Sequence, residues 1–110
     1  PENPIAAMLK AVELTFSHQN VLRGIRIVTD MRPVFDNSGG RILGSVITHL
    51  LLLQYHDGSH TSRIHLAMDA ADVSELKRLC ERAEKKAQVL RESLKQVPWP
   101  TRIAGESVHD

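Results

Sequence analysis

Only one cysteine is present, Cys80, so the chain can form neither an intrachain disulfide nor a zinc site built on paired thiolates. A reducing, cytoplasmic setting is the expectation that follows. Aromatic residues are scarce, with one Trp, one Tyr and two Phe, which removes the stacking platforms that commonly hold single-stranded nucleic acid. Neither sign of charge dominates: 14 Lys and Arg stand against 13 Asp and Glu. No global field therefore draws in nucleic acid or an anionic membrane. Apolar runs such as Leu50–Leu53 are far too short to cross a bilayer. Pro1-Glu2-Asn3-Pro4 has no basic segment leading into an apolar one, so no signal peptide is expected there.

Catalytic patterns are equally sparse. The chain has no Gly-x-Ser-x-Gly elbow, and Gly39-Gly40 lacks the helix and lysine of a phosphate loop. Six histidines invite a metal hypothesis, but zinc spacing is absent. His49 reads as a packed, hydrogen-bonded histidine, and Cys80 as a buried, inert thiol on an apolar seam. The chain is read as a non-enzyme, with no cofactor, no metal and no small-molecule substrate indicated.

What is present is ordinary globular material. Of the 110 residues, 42% are hydrophobic and 25% charged, enough for one domain and too little for two cores. Asn3-Pro4 suits a helix start, and Ile5, Met8, Leu9 and Val12 follow at helical spacing. Beyond that, Val12, Leu14 and Phe16 alternate in a strand-like way, so a helix ending in the mid-teens competes with a strand. Gly24 to Phe35 reads as a strand with Ile25, Ile27, Thr29 and Met31 on one face and Arg26, Val28, Asp30 and Arg32 on the other. Residues 36–40 read as a loop.

Ser45 to His56 and Ser59 to Met68 flank Asp57-Gly58, a type I′ turn dipeptide. A two-residue turn would pair Tyr55 with His60, Leu53 with Ser62, and Leu51 with Ile64. One face then carries Ile47, Leu51, Leu53, Tyr55, Ile64, Leu66 and Met68 as the core, and brings His60 to the same side. The opposite face is mixed, with Leu50, Leu52, Arg63 and His65. Capped by Asp69 or Asp72, a long helix follows with Val73, Leu76, Cys80, Ala83, Ala87, Leu90, Leu94 and Val97 spaced alternately three and four apart. Glu81 and Lys85 form an expected supporting pair. Pro98 and Pro100 end this helix, its seam can lie along the core face, and its last turns are expected to outrun the sheet.

The expected fold class is therefore α+β: a small antiparallel β-meander of three to four strands, a short N-terminal helix and a long amphipathic C-terminal helix. Residues 1–100 make a single domain and residues 101–110 a disordered polar tail. The meander-then-helix order over residues 22–96 resembles the COMM domain, an interaction module that dimerises through its sheet and helix. The resemblance is one of pattern, and it assigns no site residue.

The functional expectation is a non-catalytic protein–protein interaction or self-association domain, as a homodimer or with a protein partner. Val28, Leu50, Leu52, Leu90, Leu94 and Trp99 are its candidate interface, because surplus apolar surface on a chain without catalytic groups needs a cover. Trp99, set between two prolines, either folds back on the domain or serves as a docking anchor. One alternative is a nucleic-acid or anion-binding module using Arg26, Arg32 and Arg63. The nucleic-acid form of it is disfavoured by the interleaved glutamates of the long helix. Another alternative is a non-catalytic subunit or fragment of a larger enzyme.

Overall fold

The computed structural model describes residues 4–15 and 19–106. Along the chain these form α1 (Pro4–Thr15), β1 (Val21–Phe35), β2 (Ile42–His56), β3 (Thr61–Met68) and α2 (Ala70–Ser93). The strands build one antiparallel sheet in the order β1-β2-β3, so the α+β meander is the fold. At the N-terminal end the helical spacing outweighs the brief alternation, and Val12 to Thr15 remain helical. The Asn3 cap and Phe16 lie outside the described residues.

Each hairpin loop is closed by an aspartate side chain. In the first, Asp36 accepts from the Ser38 hydroxyl at 2.8 Å and the Gly40 N–H at 3.1 Å, while Gly39 takes a positive φ of 76°. In the second, Asp57 accepts from the N–H groups of Ser59 and His60 at 3.3 and 3.0 Å. This side-chain closure corrects the expected two-residue turn. The loop runs over four residues, 57–60, and the Asp57 N–H donates to the His60 carbonyl at 3.1 Å. Tyr55 therefore pairs with Ser62, Leu53 with Ile64 and Leu51 with Leu66. The offset differs by two residues from the one expected. Because side chains alternate with period two, the residues of each face are unchanged. Only His60 is displaced, from a position beside the core to the exposed loop.

A bulge between Leu22 and Gly24 sets the phase of β1, so Ile25, Ile27 and Thr29 face Leu53, Leu51 and His49 across the ladder. The first face thus carries Ile25, Ile27, Met31, Ile47, Leu51, Leu53, Ile64, Leu66 and Met68. On the second face lie Arg26, Val28, Leu50, Leu52, Gln54, Arg63 and His65. His49 is half-buried, and its Nδ1 is hydrogen-bonded to Thr29 Oγ1 at 2.8 Å. β3 pairs only with His49–His56, so the distal half of the β1–β2 hairpin projects as a two-stranded ribbon of residues 31–35 and 42–48.

α2 starts on a capping box. Asp69 accepts from the Asp72 N–H at 2.8 Å, and Asp72 returns the bond to the Asp69 N–H at 3.0 Å. Glu75–Arg78 and Glu92–Lys95, at 2.6 and 3.1 Å, are the ion pairs formed along this helix. Glu81–Lys85 is not among them. The helix ends at Ser93, ahead of Pro98, with Leu94 as its cap. Residues 101–106 fold back on the helices: Arg102 pairs with Glu13 of α1 at 2.9 Å, and Arg91 of α2 pairs with Glu106. Residues 107–110 lie outside the described residues.

The Asp57 and Asp69 carboxyls are both held below the ordinary aspartate value of 3.8, chiefly by the N–H groups of His60 and Asp72 respectively. Bonds to the charged form favour it, so their contribution is complete above the ordinary value and disappears as pH falls below it. Stability is expected to fall on acidification through that range. Asp69→Ala, followed by circular dichroism, lowers the thermal midpoint by a few degrees and flattens the acid limb.

Candidate functional site

The domain leaves most of its apolar surface open. Among the described residues only Val21, Leu51 and Met68 are buried hydrophobics. Leu51, 7% exposed, sits at the centre of the middle strand, and Met68 sits where β3 gives way to α2. Around them the first face remains in solvent, with Ile25 62% and Ile47 64% exposed. Ile27, Met31, Ile64 and Leu66 are exposed with them, making a contiguous patch of several hundred Å², the size at which a surface patch normally serves an interaction.

The expectation that the α2 seam can lie along this face is corrected for most of its length. α2 touches the sheet sparsely: its first seam residues, Val73 and Leu76, are half-buried, Cys80 and Ala83 open to solvent, and Ala87 is half-buried again farther on. Cys80 is an exposed free thiol, contrary to the buried one expected. Farther along, Leu79, Val89 and Leu90 are also exposed, Leu90 at 59%. Reach accounts for the far end only: a helix of 24 residues is about 36 Å long, whereas the eight residues of β3 span about 27 Å. Cys80, about 15 Å along, is exposed within that span, so α2 parts from the sheet before its length outruns it.

The candidate interface residues separate into two places. Val28, Leu50 and Leu52 are half-buried neighbours on the second face, with Val28 directly opposite Leu50. Leu90, Leu94 and Trp99 belong to the far end of α2 and the segment after it. There Leu94 is half-buried, while Trp99 is 60% exposed. Sequence reasoning missed the first face as an open surface because its alternation is identical to that of a covered core. The ribbon was also missed: Val34, Phe35, Ile42, Leu43 and Val46 are exposed along it. The unequal lengths of the three strands were the available signal.

The structure brings together two of the three candidate arginines. Arg26 lies across Leu52 from His65, and Arg63 lies across Gln54 from Gly24, so both line one cleft on the second face. Arg32, opposite Val46 on the ribbon, stands six residues from Arg26 and about 20 Å away. Asp30 makes no ion pair with Arg32; its carboxylate accepts from the Met31 N–H at 2.9 Å. Among the described residues no three His, Cys, Asp or Glu side chains converge as a metal site, and no helix is long and apolar enough to cross a membrane.

The resemblance to the COMM domain rests on the order of elements alone. No protein-family model, no curated protein and no solved structure matches the chain.

Proposed function

We propose that this chain is a non-catalytic self-association domain, a homodimer that buries the first sheet face, its continuation along the ribbon and the open side of α2 between two copies. The observation that carries this reading is surface area. One chain of 12.3 kDa exposes 9383 Å², where a folded monomer of that mass exposes about 6100 Å². Its radius of gyration is 20.0 Å, against about 13 Å for a compact domain of this length. The surplus, roughly 3000 Å² per chain and so about 6000 Å² for a pair, lies at the upper end of what obligate dimers bury and far above what transient partners share.

A second copy suits the surplus better than a strongly charged partner does. The net charge of +1 gives two copies little reason to repel. α2 is itself self-complementary: residues 69–81 hold Asp69, Asp72, Glu75 and Glu81 against Lys77 and Arg78, and residues 82–95 hold Arg82, Lys85, Lys86, Arg91 and Lys95 against Glu84 and Glu92. Two copies set antiparallel bring the acidic half of one helix against the basic half of the other. A cytoplasmic setting fits the exposed free thiol of Cys80.

Light scattering coupled to size exclusion, run over a wide concentration range, should return twice the chain mass throughout. A folded species at the single-chain mass in every run sinks the proposal. A chain that is soluble only with a different protein bound transfers the same surface to that partner.

A further inference from the structure

The cleft on the second face has the chemistry of a binding site, and it opens on the side opposite the proposed dimer surface. Its volume is about 460 Å³, within the range of small-ligand pockets. On the second face Gly24 and Leu52 lie between Arg26, Arg63, His65 and Gln54, and Ile25 and Leu53, neighbours along the same strands, complete the lining. The concavity has a local cause. Gly24 follows the bulge in β1, and a Cβ added there would come within 3.2 Å of Gln54 Oε1, so the missing side chain keeps the floor low.

The electrostatics are one-sided. No carboxylate lines the cleft, and neither Arg26 nor Arg63 belongs to any ion pair among the described residues, although five other pairs form. Along β1 on the same face, the first acid is Asp30, four residues from Arg26, about 13 Å away and beyond the screening length of about 8 Å at physiological salt. Two strand spacings, about 10 Å, separate Arg26 from the β3 edge that carries His65 and Arg63. An arginine from each side can therefore reach one anion seated over Leu52. Guanidinium groups bind phosphate oxygens through paired N–H donors, which point charges cannot reproduce.

We infer that this cleft binds a small organic phosphate, with its phosphate between Arg26 and Arg63 and its apolar or planar body on Leu52 and Gly24. Gln54 offers an amide to the polar edge of that body, and His65 closes the β3 side. A bare inorganic anion leaves the apolar floor unused, and a nucleic-acid strand needs basic groups continuing beyond the cleft.

The test is a titration of the full chain, followed by amide nuclear magnetic resonance, with AMP, adenosine, inorganic phosphate and a single-stranded oligonucleotide as probes. AMP is expected to shift the amides of residues 24–26, 52–54 and 63–65 saturably, and to bind about tenfold or more tightly than adenosine or phosphate. Arg26→Ala and Arg63→Ala should each weaken AMP by about tenfold, as loss of a charged hydrogen-bonding partner does. Arg32→Ala, the same charge change on the same face outside the cleft, should leave affinity within about twofold. Size exclusion of all three variants, unchanged, separates loss of the site from loss of the dimer. The inference is overturned by the absence of saturable shifts, by an equal loss in Arg32→Ala, or by phosphate binding as tightly as AMP. Oligonucleotide affinity that exceeds that of AMP and grows with strand length also overturns it, in favour of a nucleic-acid surface.

Discussion

Ile47→Glu is expected to abolish the proposed dimer and, with it, the cooperative fold. Ile47 sits on the ribbon, 64% exposed in the single chain, and a substitution at such a position ordinarily changes stability by about 0.5 kcal/mol or less. In a self-associated pair the same glutamate enters an apolar interface without a partner, and an unpaired buried charge costs about 3–5 kcal/mol. The symmetry of a homodimer applies that cost twice. A single chain has little to fall back on, because Leu51, Met68 and Val21 are its only buried hydrophobics among the described residues. In the proposed dimer dissociation and unfolding are thus one event, and stability should depend on protomer concentration. For a dimer of this size the wild-type thermal midpoint should rise by about 3–4 °C per tenfold increase in concentration. Differential scanning calorimetry over several concentrations reads it directly. A concentration-independent midpoint, together with an Ile47→Glu chain as stable as wild type, removes the basis for self-association. Thr48→Lys is the control, since it places a charge on the other face of the same strand, opposite Asp30, where no like charge meets it.

The elements of this fold were legible because each announces itself locally. Alternation in Ile25 to Arg32 and in Arg63 to Met68, and the three-and-four spacing from Val73 onward, need no tertiary information. Asp69 or Asp72 was legible as the cap; the alternative resolves into a reciprocal box, with Asp69 as the cap and each carboxylate accepting from the other's backbone N–H. Turn length was less accessible. Asp-Gly favours a two-residue turn, but an Asp side chain that bonds the next two N–H groups favours a longer one, and the dipeptide alone does not rank them.

The relation between α2 and the sheet was not legible at all. Periodicity says which side of a helix is apolar and is silent on what that side meets. The seam from Val73 to Val97 reads the same whether it covers its own sheet, half-covers it, or waits for another chain. That is why Cys80 was expected in the core and is found in solvent. The arginine cluster shows the complementary limit. Arg26, Arg32 and Arg63 share a face by parity, yet only strand register shows that two line one cleft beside Leu52 while the third lies far along the ribbon.

Leu51→Ala tests the other half of the architecture, the part each chain completes by itself. Leu51 lies between Ile27 of β1 and Leu66 of β3, and it is 7% exposed before any partner is added. Truncating a buried leucine removes its transfer free energy and leaves a cavity, about 2–5 kcal/mol together. Against a total stability of about 5–15 kcal/mol, that is the largest loss any single methyl-bearing truncation in the sheet should produce. Leu50→Ala, the adjacent residue on the second face, removes the same atoms from a half-buried site and should cost less than half as much. Urea titration monitored by circular dichroism orders the two by their midpoints at unchanged slope. If Leu50→Ala proves the more damaging, the core of the single chain lies on the arginine-bearing face. The first sheet face would then lose its place as the scaffold on which two copies meet.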